Sequence, residues 1–151
     1  MRATSSFSFA AVLPWLLICM LAGISFFAQP VKFLTPGLTS AQLVSVGSTI
    51  FHGSHGMQWV AFAVLAVVVV PTKADGRAAW CCLLMACGFL AVQQRVLMPA
   101  LDLRLALLTE GAAPAASPHH AVYVVLELFK LAALVVLARQ RSSIRSQGGL
   151  A

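Results

Sequence analysis

Five side chains in the last third of the chain have the types and spacing for proton or ion chemistry. His120, Tyr123, Glu127 and Lys130 lie at positions i, i+3, i+7 and i+10, and His119 extends the series. On an α-helix this spacing places the side chains on one face. The stripe indicates either a proton or ion relay, or an intrahelical Glu127–Lys130 pair. We favour the pair, because each charge would satisfy the other.

Two further histidines, His52 and His55, lie in an earlier apolar segment at an i, i+3 spacing. Together with His119, His120 and Glu127 they could form a zinc or copper site or supply axial ligands to haem. The alternative is that these are interfacial histidines that donate hydrogen bonds to backbone and water. We favour the alternative, because two histidines at this spacing are a weak ligand signal. The sequence therefore predicts no cofactor, with His52, His55, His119 and His120 as the candidate metal ligands.

Arg95 is predicted to form an ion pair with Glu127 on the next helix. It lies four residues before Pro99, which has no N–H and is expected to bend or end its helix. The depths of the two charges match if the two helices are antiparallel neighbours. A lone charge inside the bilayer costs about 2.5–3.5 kcal/mol on insertion scales, which favours pairing. The predicted structural polar cluster is Arg95, Tyr123, Glu127 and Lys130.

The residue sets of common enzyme classes are absent from the sequence. It contains no Ser-His-Asp or Cys-His set, no glycine-rich phosphate loop and no pair of carboxylates at one depth. Aspartate and glutamate total four, and the four cysteines lack the Cys-x-x-Cys spacing of a metal site. We therefore expect a protein that is not an enzyme.

The composition indicates a membrane protein. Of the 151 residues, 60% are hydrophobic and 9% are charged. A typical soluble domain has roughly 45–50% apolar and about 25% charged residues, so this chain could not cover a soluble surface. Long stretches also lack any charge, as between Arg2 and Lys32 and between Lys32 and Lys73. These stretches are long enough for membrane-spanning helices, which need about 20 apolar residues.

Four spans can be placed, at about 7–28, 45–70, 78–98 and 121–138. Pro30, Pro36 and Gly37 are expected to end the first helix and start a turn. We expect this first helix to be retained, because its apolar run exceeds the 7–15 residues of a cleaved signal peptide. The predicted fold class is an all-α membrane protein, a four-transmembrane-helix bundle that forms a single domain over residues 1–151.

The positions of lysine and arginine predict the orientation. One side would carry six of the ten basic residues: Arg2, Lys73, Arg77, Arg139, Arg141 and Arg145. The positive-inside rule places this side, and with it both termini, in the cytoplasm. Because this excess explains the net charge of +6, nucleic acid is not expected as a partner.

Two short runs resemble those of a known family. Residues 94–102, Gln-Arg-Val-Leu-Met-Pro-Ala-Leu-Asp, are similar to the third-helix ending of the transmembrane-protein-205-like group, a domain of unknown function. Residues 27–33 resemble the family's first-helix ending, and His119 or His120 resembles the histidine that opens its last helix. Where the family has serine and asparagine next, this chain has Ala121, Val122 and Tyr123. The resemblance implies a small four-helix membrane fold and no established reaction.

The sequence thus favours a non-enzymatic, multi-pass protein of the cell membrane with a structural or interaction role. Its expected partners are the lipid bilayer and either a second copy of the chain or another membrane protein. Two other classes stay open, namely a metal- or haem-binding membrane bundle and a small proton- or ion-coupled transporter.

Overall fold

The computed structural model describes residues 9–68, 76–112 and 117–148, which form four long helices. Helix α1 covers residues 9–34 and α3 covers residues 76–109, each with an irregular turn inside it. Helix α2 is Ser40–Val68 and α4 is His119–Gly148. The predicted all-α fold is confirmed, and each predicted span lies mainly within one of these helices. The predicted span residues 7, 8, 69 and 70 lie outside the described residues.

Three of the described helices are long and apolar enough to cross a membrane, in the segments Ala11–Leu34, Arg77–Thr109 and His119–Gln140. Helix α2 has a comparable length but a more polar N-terminal half, which includes Gln42 and His52. Large apolar side chains on all four helices are exposed. A soluble protein would hide such a surface, whereas lipid tails can cover it.

Helices α1 and α3 both continue past a proline, Pro30 in the first and Pro99 in the third, and α1 ends at Leu34, just before the expected turn at Pro36 and Gly37. A π-helical turn precedes each proline, at Gly23–Ala28 and at Gln93–Leu97. In each case the residue just before the proline donates its N–H to the carbonyl five residues back. This shift of the hydrogen-bond ladder widens the turn and provides room for the proline ring, so the helix continues past the proline.

The helices pack through leucine, phenylalanine and alanine. Leu21, Phe62, Leu65 and Leu90 come from three different helices and are almost fully buried. Helices α3 and α4 make the most extensive contact, and the small side chains of Ala79, Ala86 and Ala138 are buried with them. Small residues allow two helix backbones to approach closely, which is how helices gain packing energy inside a membrane.

Side-chain contacts fix the relative directions of the helices. Ser48 and Trp59 of α2 contact Asp102 and Gln94 of α3 in reverse order, so these helices are antiparallel. His55 and Gln58 of α2 contact Tyr123 and Lys130 of α4 in the same order, so those two are parallel. We call the end of the molecule that holds Lys32, Arg104 and His120 the cleft end.

Candidate functional site

A buried polar centre lies between the four helices, where the surrounding side chains are apolar. It consists of Ser25 from α1, Gln58 from α2, Gln93 from α3, and Glu127 and Lys130 from α4. Glu127 and Lys130 are 1% and 0% exposed. Each helix therefore contributes at least one polar side chain to a single hydrogen-bonded group.

The ammonium group of Lys130 has a partner for each of its three N–H bonds. It donates to Gln58 Oε1 at 2.6 Å, to Gln93 Oε1 at 2.7 Å and to Glu127 Oε2 at 2.7 Å. A buried ammonium is costly unless all its donors are satisfied and an opposite charge lies nearby. Both conditions hold for Lys130.

The carboxylate of Glu127 is satisfied in the same way. Its Oε1 accepts from Ser25 Oγ at 3.0 Å, and its Oε2 accepts from Gln93 Nε2 at 2.9 Å as well as from Lys130. Gln93 Nε2 also lies 3.2 Å from the backbone oxygen of Tyr123. The pair is thus neutral overall and fully hydrogen-bonded, an arrangement that joins helices and leaves no free donor on Lys130.

The two π-helical turns position this group. Ser25 lies in the first turn and Gln93 begins the second, and both side chains reach the carboxylate of Glu127. A π turn changes which residues face a neighbouring helix, because it contains more residues than an α turn. The local backbone of α1 and α3 therefore presents polar side chains at the depth of the buried pair.

His55 and Tyr123 form a second buried pair, on the cleft side of the polar centre. His55 Nε2 and Tyr123 Oη are 2.8 Å apart, and the two rings stack with centroids 5.9 Å apart. Phe51 also packs against the Tyr123 ring, with 4.7 Å between the centroids and the rings tilted by 52°. His55 Nδ1 is buried and has no hydrogen-bond partner among the described residues.

A cleft of about 700 Å³ opens above the polar centre, between segments of all four helices. Its walls are mostly apolar, formed by residues such as Phe33, Phe51, Leu101 and Leu105. Ser25 and Glu127 line its inner end. This volume lies within the range of about 300–1,000 Å³ that is usual for small-molecule sites.

Charged side chains line the outer part of the cleft, towards the cleft end of the molecule. Lys32 lies beside Gly47 of α2 and donates to Gln29 Oε1 at 2.7 Å. A Cβ atom at position 47 would lie 1.7 Å from Lys32 Nζ, so glycine is what allows the ammonium to approach α2. Arg104 and His120 line the same cleft.

Asp102 is the other acidic residue of the cleft, and it already has partners. Its carboxylate accepts from Ser48 Oγ at 2.7 Å and lies 2.9 Å from His52 Nε2. His52 is exposed, so this contact is worth little as an ion pair, but with Ser48 it ties α2 to α3.

Of the four residues of the predicted structural cluster, Glu127 and Lys130 belong to the polar centre, Tyr123 pairs with His55 beside it, and Arg95 lies apart from both. Tyr123, Glu127 and Lys130 are buried on one face of α4, and Glu127 pairs with Lys130. The predicted Arg95–Glu127 ion pair is absent, and Arg95 lies at the surface of the described part of α3. Gln93 faces Glu127 instead. Side chains two positions apart point to nearly opposite sides of a helix, so Arg95 faces outward.

The four candidate metal ligands do not converge. His52 contacts Asp102, His55 contacts Tyr123, His119 Nδ1 contacts Ser117 Oγ, and His120 lines the cleft. Within residues 9–68, 76–112 and 117–148, no group of three or more His, Cys, Asp or Glu side chains could hold a metal ion.

Sequence reasoning missed Ser25, Gln29, Gln58 and Gln93 as members of the site. Glutamine and serine carry no charge, so the charge pattern gives no sign of them. The available signal was a glutamine in an otherwise apolar helical segment, as at Gln58 and Gln93. An amide buried among lipid-facing segments needs partners for its donors and its acceptor, and so indicates a polar contact between helices.

Comparison with known proteins adds no relative. No protein-family model, no curated protein and no solved structure matches this chain.

Proposed function

We propose that this protein is a four-span protein of the cell membrane that binds a partner molecule and does not transform it chemically. The observation that supports this role is the pairing of a saturated, neutral polar centre with an apolar cleft directly above it. A general acid or base needs a proton to release or a free site to receive one. Glu127 and Lys130 have their hydrogen-bonding atoms occupied by each other and by three neighbouring side chains.

Helix α2 is proposed as the fourth span. Three helices qualify by length and composition, and α2 packs against them. Its Gln58 contacts the buried Lys130, and its Phe62 and Leu65 belong to the shared apolar core. A helix whose central residues pack between spanning helices shares their surroundings.

Both termini are proposed to lie in the cytoplasm. Helices α2 and α3 are antiparallel, and Lys32 and Arg104 lie at the cleft end, whereas Arg77 and Arg139 lie at the opposite ends of α3 and α4. Arg141 and Arg145 follow Arg139 on α4, and Arg2 and Lys73 belong to the same side in the topology that the sequence predicts, so the positive-inside rule favours the cytoplasm for this side. The resemblance to the transmembrane-protein-205-like group agrees with this architecture and stays a hypothesis.

One observation favours a second candidate, a proton-coupled carrier. Glu127 lines the inner end of the cleft although it is only 1% exposed, so its carboxylate is near a route from one side of the membrane. Metal or haem binding has no comparable support, because the candidate histidines lie apart.

Proton flux in proteoliposomes separates the two candidates. The purified full chain is reconstituted with an internal pH-sensitive dye, and an electrical potential is imposed with potassium and valinomycin. We expect the internal pH to change at the rate of protein-free liposomes, for the native chain and for Glu127→Gln. A flux severalfold above that rate in the native chain and in the surface variant Arg95→Met, but not in Glu127→Gln, would contradict the proposed binding role. It would show that the protein is a proton-coupled carrier.

A further inference from the structure

We infer that the cleft binds an anionic phospholipid of the surrounding membrane, with one acyl chain between the apolar walls and the phosphate at Lys32 and Arg104. This inference rests on the membrane location in the proposed function and adds the ligand class. It is carried by the charges that line the cleft, by their depth and by the chemistry of the walls.

The charges that line the cleft leave a positive excess. Of the two acidic residues, Glu127 is neutralised by Lys130, and Asp102 is held by Ser48 and His52. Lys32 donates to the neutral Gln29 and lies 5.1 Å from the Phe33 ring centroid. Neither Lys32 nor Arg104 has an acidic partner in the part of the chain that the structure describes. The neighbours of Asp102 are not permanent cations, so Lys32 and Arg104 outnumber the one carboxylate of the cleft without a cationic partner by one charge, which an anionic headgroup would balance.

The depth of Arg104 matches a phospholipid headgroup, and Lys32 lies deeper in the cleft. Ser25 contacts Glu127, Lys32 lies seven residues beyond Ser25 on α1, and His120 lies seven residues before Glu127 on α4. At 1.5 Å per residue, both lie about 10 Å from the carboxylate towards the cleft end. Arg104 lies eleven residues beyond Gln93, which is about 16 Å. Half of a bilayer's hydrocarbon core is about 15 Å thick, so with the carboxylate at mid-depth Arg104 reaches the headgroup region, whereas Lys32 lies about 5 Å below it, beside the first carbons of the acyl chains.

The walls and the cations suit the two parts of such a lipid. Between the polar centre and the cations the cleft is lined by apolar side chains that include Phe26, Phe51, Leu101 and Val124. An acyl chain can fill the apolar part of that space, and the polar side chains of Gln29, Ser48 and Asp102 that also line the cleft have hydrogen-bond partners within the protein. The planar fork of an arginine donates two parallel hydrogen bonds to phosphate oxygens, and a lysine adds a compact charge.

A cationic ligand is the main competitor, because a carboxylate lines the inner end of the cleft. The structure disfavours it. Glu127 already accepts from Lys130 Nζ, Gln93 Nε2 and Ser25 Oγ. A cationic ligand would have to displace one of these donors while passing Lys32 and Arg104.

Native mass spectrometry of the full chain in detergent tests the inference. The delipidated protein is titrated with phosphatidylglycerol and with phosphatidylcholine of the same acyl chains. We expect one phosphatidylglycerol to bind at least tenfold more tightly than phosphatidylcholine. Equal binding of the two lipids would overturn the proposal.

Matched variants locate the binding site. Lys32→Met combined with Arg104→Met is expected to weaken phosphatidylglycerol binding at least tenfold, to the level of phosphatidylcholine. The matched control is Arg95→Met, which removes an exposed arginine of α3 that does not line the cleft and is expected to change binding less than twofold. If the double variant and Arg95→Met lose the same amount of phosphatidylglycerol affinity, general surface charge causes the lipid preference and the proposed site is wrong.

Two further arms separate the alternatives. Val124→Trp, which narrows the cleft, is expected to weaken phosphatidylglycerol at least tenfold, whereas glycerol phosphate is expected not to compete. Competition by glycerol phosphate would reduce the site to an anion site without an acyl chain. If a cationic amphiphile binds more tightly than phosphatidylglycerol, and Glu127→Gln removes that binding, the ligand is a cation and the proposal is overturned.

If the double variant loses its helical circular dichroism, the single variants Lys32→Gln and Arg104→Gln replace it. Each is expected to weaken phosphatidylglycerol binding threefold or more. All these outcomes are independent of the proton-flux result, so failure of the lipid site and failure of the proposed function are distinguishable.

Discussion

Removing the ammonium of Lys130 should destabilise the protein strongly, and removing its acidic partner as well should restore part of the stability. Lys130→Met leaves the Glu127 carboxylate buried without its opposite charge, and it leaves Oε1 of Gln58 and of Gln93 without a donor. Breaking a buried ion pair from one side costs about 3–5 kcal/mol. Each buried acceptor that is left without a donor costs about 1–3 kcal/mol. This cost is not simply added to that of breaking the ion pair, because Glu127 can take up a proton and donate a hydrogen bond to Gln93.

We therefore expect Lys130→Met to lower the free energy of unfolding by about 3–5 kcal/mol. In the double variant with Glu127→Gln no buried charge is left, and the new amide can donate to Gln93 and accept from Ser25. The two substitutions should then be non-additive by about 1.5–3 kcal/mol. Unfolding of the full chain in mixed micelles with increasing dodecyl sulfate, followed by circular dichroism, measures the four proteins of this cycle.

The control is Arg95→Met, which removes a cation from the surface of α3 and should change stability by less than about 0.5 kcal/mol. Additive effects of the Glu127 and Lys130 substitutions would refute the reasoning. So would a non-additive effect between Arg95→Met and Glu127→Gln, because it would restore the interhelical pair that the structure lacks.

Two further predictions concern the close approach of α1 to α2 and the topology. Gly47→Ala and Gly53→Ala make the same change in α2, but a Cβ at position 47 meets Lys32 Nζ at 1.7 Å and one at position 53 meets nothing within 4 Å. Gly53→Ala should therefore raise stability in the same unfolding assay by about 0.5–1 kcal/mol, and Gly47→Ala should not; an equal gain at both positions would contradict the contact. Reporter domains inserted after Gly111 and fused at the C-terminus should report opposite sides of the membrane, and the same side for both would exclude the four-span arrangement.

The positions of the helices followed from the sequence, whereas their ends did not. Long apolar runs without charge indicated the helices, because a bilayer requires about 20 such residues. The first helix was expected to end among Pro30, Pro36 and Gly37, and the third to bend or end at Pro99, because a proline removes one N–H and adds one steric clash. The first helix ends beyond Pro30, and the third continues past Pro99 to Thr109. A π turn just before each proline absorbs both effects. Nothing in a 3.6-residue periodicity shows where such a turn occurs.

The buried pair also followed from the sequence, whereas its neighbours did not. The spacing of Tyr123, Glu127 and Lys130 placed them on one face of a helix, and an i, i+3 pair can form whatever surrounds it. The identity of the other partners depends on the rotation of α2 and α3 about their own axes. Arg95 was assigned by depth alone, and the rotation of α3 decides in favour of Gln93.

The two π turns have a consequence for how the length of this chain can vary. A hydrogen bond to the fifth residue back encloses one residue more than an α-helical bond does. Deleting a single residue from Gly23–Ala28 or from Gln93–Leu97 would let that helix return to an α-helical ladder. Because the π turn encloses the extra residue within a single turn, the parts of the helix on either side of the deletion would keep nearly the same faces. In α1 Lys32 would stay beside Gly47, and in α3 Arg104 and Asp102 would stay in the cleft, whereas a deletion from an α-helical part would turn everything beyond it by about 100°. The two π turns are therefore the places in α1 and α3 where the loss of one residue changes helix packing least.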